Sequence, residues 1–219
     1  MESLIDIFLH FDKHLAEFVQ AYGVWVYGLL FAIIFAETGL VVTPFLPGDS
    51  LLFAAGALAA TGAFSLWPLL ALLTVAAIIG DAVNYAVGYR VGPRVFTSVD
   101  RTSLLQRMLN RDHLVRAHTF FEKYGGKAIV LGRFVPIVRT FVPFVAGAGT
   151  MTYGDFAFFN VAGAILWVGI CTLGGYAFGT VPVVRDNFTL VALGIVVVSV
   201  LPILVEFLRH RRQTASARP

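Results

Sequence analysis

The sequence predicts an all-α polytopic membrane protein. It is expected to be an inverted repeat, with two proline-broken re-entrant hairpins entering from opposite faces, about three full transmembrane helices and amphipathic surface helices. Three observations carry this. Of 219 residues, 58% are hydrophobic and 13% charged, where a soluble domain has roughly half and a quarter. Uncharged runs cover 18–36, 50–80, 156–184 and 187–205, and about 20 apolar residues cross a bilayer core. Two of the apolar stretches are broken by paired prolines, Pro44 with Pro47 and Pro136 with Pro143. One membrane domain, 1–219, is expected rather than two.

Residues 3–20 read as an amphipathic helix, with Leu4, Ile7, Phe8, Phe11, Leu15, Phe18 and Val19 at helical spacing. Its net acidic character places it on the outer surface. His10 and His14, with Asp6 and Glu17 nearby, could bind a metal there, but a solvated face explains them better. Met1–Asp6 carries no Lys or Arg, so a cleaved secretory signal is not expected and the N-terminus should be retained.

Residues 24–61 form the first expected hairpin. An apolar stretch containing Glu37 is interrupted by Thr43-Pro44-Phe45-Leu46-Pro47-Gly48-Asp49-Ser50, where the prolines remove backbone donors. The following segment to Thr61 is a dozen residues, about 18 Å of helix, too short to span. A non-helical tip at membrane depth must be buried in protein or line a cavity. Residues 66–89 are long enough to span, and Asp81, Asn84, Gly88 and Gly92 form a stripe expected to face other helices. Residues 90–123 are basic, with short amphipathic pieces suited to the cytoplasmic membrane surface.

Residues 125–151 repeat the broken plan: an apolar half-helix, a break from Phe134 to Pro143, then Ala146-Gly147-Ala148-Gly149. Conventional spans follow at 156–178 and 188–208, then a basic tail at 209–219. Eight of the 16 basic residues lie between Arg90 and Lys127 and four in the tail. Both clusters flank spans, the positive-inside pattern rather than a nucleic-acid footprint. The C-terminus and the basic middle segment are therefore expected inside and the N-terminus outside, and the two hairpins then enter from opposite faces, as in transporters with a midplane site. The single cysteine, Cys171, excludes a disulfide or a thiolate metal cluster within one chain.

These breaks carry a resemblance. The stretches Phe35-Ala36-Glu37 to Pro44-Phe45-Leu46-Pro47-Gly48-Asp49-Ser50, Gly80-Asp81 with Asn84-Tyr85 and Gly88-Tyr89, Phe121-Glu122-Lys123-Tyr124-Gly125-Gly126, Arg133-Phe134-Val135-Pro136-Ile137-Val138-Arg139-Thr140, Pro143 with Ala146-Gly147, and Asn160 with Gly163-Ala164 and Trp167 resemble the DedA family. It is also called the SNARE-associated or VTT-domain family of bacterial inner-membrane proteins. The ordered set covers roughly 22–178. The resemblance implies a bacterial inner-membrane protein of envelope maintenance. It implies a proton-motive-force-dependent transporter, or flippase, returning undecaprenyl phosphate across the membrane; eukaryotic relatives resemble phospholipid scramblases. It also implies an essential acidic pair, Glu37 and Asp49, and an essential arginine pair, Arg133 and Arg139.

Elementary energetics reaches the same residues separately. A charge at bilayer depth costs about 2.5–3.5 kcal/mol on insertion scales, so Glu37, Asp49, Asp81, Arg133 and Arg139 are functional candidates. Mutual neutralisation is the structural alternative. Arginine forks suit phosphate oxygens, and half-helix N-termini favour an anion. Protonating Glu37 would remove a competing negative charge, which gives proton coupling a physical basis. Asp49 could instead cap its half-helix. Asp81 and Asn84 could serve interhelical hydrogen bonding, and Pro44, Pro47, Gly48, Pro136 and Pro143 shape the tips. On one continuous helix Arg133 and Arg139 would lie about 240° apart, so joint action depends on the break.

The expected ligands are protons and a lipid phosphate, either undecaprenyl phosphate or a phospholipid, within a membrane. No cofactor, metal or nucleic acid is expected, and homo-oligomerisation is left open. The alternatives are a non-coupled scramblase or envelope assembly factor and, from the enzyme class, a polyprenyl-diphosphate phosphatase. The phosphatase is disfavoured because all five histidines lie outside the apolar spans.

Overall fold

The computed structural model describes residues 11–40, 48–97, 111–149, 151–182 and 184. Among these, every regular element is a helix: α1 (Phe11–Gly39), α2 (Gly48–Ala60), α3 (Leu66–Thr97), α4 (Arg111–Tyr124), α5 (Lys127–Gly132), α6 (Pro136–Ala148) and α7 (Tyr153–Gly179). The protein is all-helical. Two stretches, Leu66–Gly92 and Tyr153–Gly179, are long and apolar enough to cross a membrane. The tip prolines Pro44 and Pro47, residues 3–10, the expected span at 188–208 and the basic tail lie outside the described residues.

The distribution of exposure suits a lipid rather than an aqueous surround. Along the middle of α3 the exposed large residues are Val75, Ile79, Val83 and Val87, one every four positions, with Trp67 and Tyr89 exposed toward its two ends. On α7 they include Phe158, Val161, Ile165, Leu166, Ile170 and Leu173. Polar side chains lie inside instead: Asp81, Asn84, Asn160 and Thr172 are all buried. A water-soluble bundle has the reverse arrangement.

Two expected boundaries shift. The amphipathic segment at 3–20 and the apolar arm starting at 24 were expected to be separate, but residues 11–39 form one helix. Nothing between them breaks a helix except Gly23, and one glycine costs only about 1 kcal/mol. The span expected at 66–89 continues to Thr97, so the first part of the basic segment is the end of a spanning helix rather than a separate surface piece.

The chain groups into two compact units. The smaller contains 1–23, 47–66 and 171–219; the larger contains 24–46 and 67–170. In the smaller unit α2 packs on the end of α7 through glycines. A Cβ at Gly56 would collide with the Thr172 carbonyl, one at Gly175 with the Phe53 carbonyl, and one at Gly179 would lie 2.9 Å from Ala57 Cα. Phe53 and Phe178 close the contact with ring centroids 5.5 Å apart.

In the larger unit α6 packs on α3 in the same way. A Cβ at Gly147 would strike the Tyr85 carbonyl, one at Gly88 the Phe144 carbonyl, and one at Gly92 the Ala148 side chain. Around this contact lies an apolar cluster that includes Ile129, Phe141, Phe144, Val145 and Phe156. Tyr85 stacks on Phe156 at 4.3 Å and donates its hydroxyl to the Met151 carbonyl at 2.7 Å. The amphipathic α4 packs on α5 and α6, burying Ala117 and leaving His118 and Glu122 3.3 Å apart on its exposed side.

Candidate functional site

The site is assembled where α1 ends and where the chain breaks between α5 and α6. At its C-terminus a helix leaves carbonyls without intrahelical partners. Here Thr38 turns its hydroxyl back to the Ile34 carbonyl at 2.9 Å, and Asn84 Nδ2 of α3 donates to the Thr38 carbonyl at 3.2 Å. The approach is close because it joins two glycines: a Cβ at Gly39 would lie 3.3 Å from Gly80 Cα, and one at Gly80 would strike the Thr38 hydroxyl. Glu37, buried one residue earlier, is thereby fixed within the larger unit, as is Asp81, which follows Gly80.

The second break has a simple cause. α5 stops at Gly132, and Val135 is extended at φ −113° and ψ 106°, as expected for a residue preceding proline. Pro136 then opens α6, where its missing N–H costs nothing. Inside α6, Pro143 cannot donate to the Arg139 carbonyl, so the helix is weakened at the turn that carries Arg139. Asn84 Nδ2 also donates to the Thr140 carbonyl, at 2.7 Å. One buried amide thus ties both interrupted segments together.

This geometry brings the two arginines together. Arg133 Nη2 lies 2.6 Å from Asp81 Oδ2 and donates equally to Asn160 Oδ1, also at 2.6 Å. Asn160 is held in turn by its own donation to the Ile78 carbonyl at 3.0 Å. Arg139 Nη2 lies 2.7 Å from Glu37 Oε1. Both guanidiniums sit over the buried indole of Trp167, Arg139 at 4.4 Å and Arg133 at 5.7 Å from its centroid. Gly163 leaves room for Arg133: a Cβ there would lie 3.1 Å from its Nε. That Nε is buried and has no hydrogen-bond partner among the described residues.

The pairing therefore runs Glu37 with Arg139 and Asp81 with Arg133. Asp49 is an exposed residue in the first turn of α2, in the smaller unit, where a carboxylate suits the helix dipole. Gly48 is the buried first residue of the same helix. The sequence marks Asp81 as a supporting residue able to serve interhelical hydrogen bonding, and Asn160 and Trp167 enter there only through the family resemblance. The available signal was the stripe Asn160, Gly163, Trp167 at i, i+3 and i+7 of a spanning helix, one face of α7. No group of metal-ligating side chains occurs among the described residues.

Lipid-facing apolar helices around a buried, internally neutral set of two carboxylates and two guanidiniums define a polytopic membrane protein with a charged interior site. The VTT domain family matches residues 46–177, and the chain belongs to this family, the DedA family. It is 55% identical to Protein DedA of Escherichia coli K12 over 216 residues, 98% of this chain and 96% of the relative. It is 41% identical to an uncharacterized membrane protein of Mycobacterium leprae over 85% of this chain and 82% of the relative. It is 40% identical to the inner membrane protein YqjA of Escherichia coli K12 over 72% of this chain and 70% of the relative. No solved structure matches it.

Proposed function

We propose that the protein is a proton-motive-force-dependent transporter, a flippase, for a lipid phosphate, with undecaprenyl phosphate the best-suited carrier lipid. The observation that carries the reading is the pair of buried arginines on one indole, each already balanced by a carboxylate. Isolated charges at this depth are expensive, so a neutral set persists where a chain must keep cations ready for an anion that arrives later. Arginine presents a planar fork matched to phosphate oxygens. The spare Arg133 Nε–H is a further buried donor.

Glu37 is the coupling residue in this reading. A phosphate competes with Glu37 for Arg139, and protonation of Glu37 releases the guanidinium to the headgroup. Asp49 acts as a second proton-responsive carboxylate at the start of α2. Two re-entrant hairpins of opposite entry, the N-terminus outside and the C-terminus and basic middle segment inside the bacterial inner membrane, complete the proposed arrangement. The names of relatives as inner membrane and membrane proteins support the compartment.

The test is transport in proteoliposomes of a fluorescent polyprenyl phosphate, with and without a pH gradient. Movement that accelerates with the gradient and is lost on Arg139→Ala supports the reading. Equal movement of phosphate-free prenol, or gradient-independent scrambling of bulk phospholipid, would replace it with the scramblase alternative.

A further inference from the structure

Arg139 faces a difficulty if Glu37 is neutralised. Its guanidinium then sits at membrane depth without that carboxylate, close to a second cation, Arg133. The groups around it are Glu37 from α1, Asp81 from α3 and Arg133 from the α5–α6 break, while α7 contributes the neutral Asn160 and Trp167. Asp81 is engaged by Arg133 at 2.6 Å. Like-charge repulsion and side-chain entropy both favour swinging Arg139 out of the site.

The indole of Trp167 is placed to oppose this. Tryptophan has the most favourable aromatic face for a cation, and the attraction grows when both are desolvated. Trp167 is 1% exposed, and Arg139 Cζ lies 4.4 Å from its centroid, the shorter of its two guanidinium contacts. The same face of α7 clamps Arg133 through Asn160 and makes room for it at Gly163. One helix face thus fixes Arg133 by hydrogen bonding and Arg139 by stacking.

We propose that Trp167 is a positioning residue whose indole holds the Arg139 guanidinium in place while Glu37 is neutral, keeping it presented to an anionic headgroup. The consequence for the lipid rests on the lipid-phosphate reading above; the hold on Arg139 does not. Trp25 and Trp67 are 80% and 77% exposed, so Trp25→Phe and Trp67→Phe leave Trp167 as the sole indole fluorophore. In that protein, Arg139→Ala is expected to shift Trp167 emission equally in the parent and in the Glu37→Gln background. No shift in the Glu37→Gln background would overturn the proposal, because the ring would then hold the arginine only with the help of the carboxylate.

Binding supplies the functional arm, with farnesyl phosphate as probe and farnesol as the uncharged control, in mildly acidic and mildly alkaline buffer. Trp167→Leu should lose about thirtyfold in affinity in acid, the scale of one desolvated cation–π contact, and little in alkali, while Trp167→Phe keeps most of the acid affinity. An equal loss at both pH values would mark Trp167 as packing alone and overturn the proposal. If the unmodified chain ignores farnesyl phosphate at both pH values, the lipid-phosphate reading fails, and the emission cycle still decides whether Trp167 holds Arg139.

Discussion

The α2–α7 and α6–α3 contacts are built to one register and loaded differently. Gly175, Gly179 and Thr172 on the end of α7 that belongs to the smaller unit receive Phe53, Ala57 and Gly56. Gly88, Gly92 and Tyr85 in the larger unit receive Phe144, Ala148 and Gly147. The long-helix positions differ by a constant 87 residues and the short-helix positions by a constant 91. At the same 87-residue offset, Asp81 and Asn84 correspond to Val168 and Cys171. Close helix packing has therefore been separated from chemistry: backbone contact through glycine needs no polar residue, and only one of the two contacts carries the charged site beside it.

The largest effect should come from breaking that asymmetry at its charged end. Asp81→Leu leaves Arg133 without its carboxylate at membrane depth, a loss of about 3–5 kcal/mol when one partner of a buried pair is removed. Thermal unfolding in detergent should show it, and adding Arg133→Met should recover much of it. Val168→Leu, at the matching apolar position, adds one methylene to a fully buried site and should cost about 1–3 kcal/mol, the overpacking range, with no recovery from a second substitution. Equal losses at 81 and 168 would mean that volume, not charge, distinguishes the two contacts.

The next effect tests the shared register. Gly88→Ala and Gly175→Ala each drive a methyl group into a backbone carbonyl, which cannot yield as a side-chain end can. Each should cost about 1–3 kcal/mol, the range for overpacking, and the two costs should be similar. Gly28→Ala is the control: nothing lies within 4 Å of its Cβ position, so alanine's better helix propensity should stabilise by up to about 1 kcal/mol. Strongly unequal costs at 88 and 175 would dissolve the correspondence.

How much of this was legible in the sequence follows from the kind of signal each feature leaves. Apolar runs, Gly88 with Gly92 and Gly175 with Gly179, and the Pro136 break are local patterns, and the helices, their close contacts and the interruption at Val135 follow from them. The identities of the intramembrane charges were equally plain, because any charge in such a run is conspicuous. Which carboxylate meets which arginine was not. Glu37 and Arg139, or Asp81 and Arg133, are far apart in the chain, and their meeting depends on how Gly39 approaches Gly80 and how Asn84 ties two breaks together. The joining of 11–20 to 24–39 was missed because a change from amphipathic to apolar character looks like a boundary, although no residue there ends a helix.

A smaller effect separates the arginines from plain counter-ions. Arg139→Lys and Arg133→Lys keep the charge but lose the planar fork. If both guanidiniums contact phosphate, farnesyl phosphate binding should weaken by about tenfold in each variant, the scale of one lost charge-assisted hydrogen bond. Stability should change little. Normal binding by both lysine variants would leave the arginines as neutralising partners of Glu37 and Asp81, and the charged unit would differ from the apolar one in electrostatics alone.

The smallest structural effect, and the most selective one, is expected at Glu37. Glu37→Gln keeps the size of the side chain and an oxygen acceptor for Arg139, so the helix contacts of both units should survive with a change of about 1 kcal/mol, near the net worth of one hydrogen bond. What disappears is titration. In the proposed mechanism falling pH neutralises Glu37 and releases Arg139 in the unmodified chain, so phosphate binding should strengthen on acidification. In the variant the competing negative charge is absent at every pH, so binding should be strong and flat across the range, while acceleration of transport by a pH gradient should be lost. A Glu37→Gln protein that keeps the full pH dependence would move proton coupling to Asp81 or Asp49, and the same measurement on Asp81→Asn and Asp49→Asn would then show whether coupling belongs to the charged unit or to the first turn of α2.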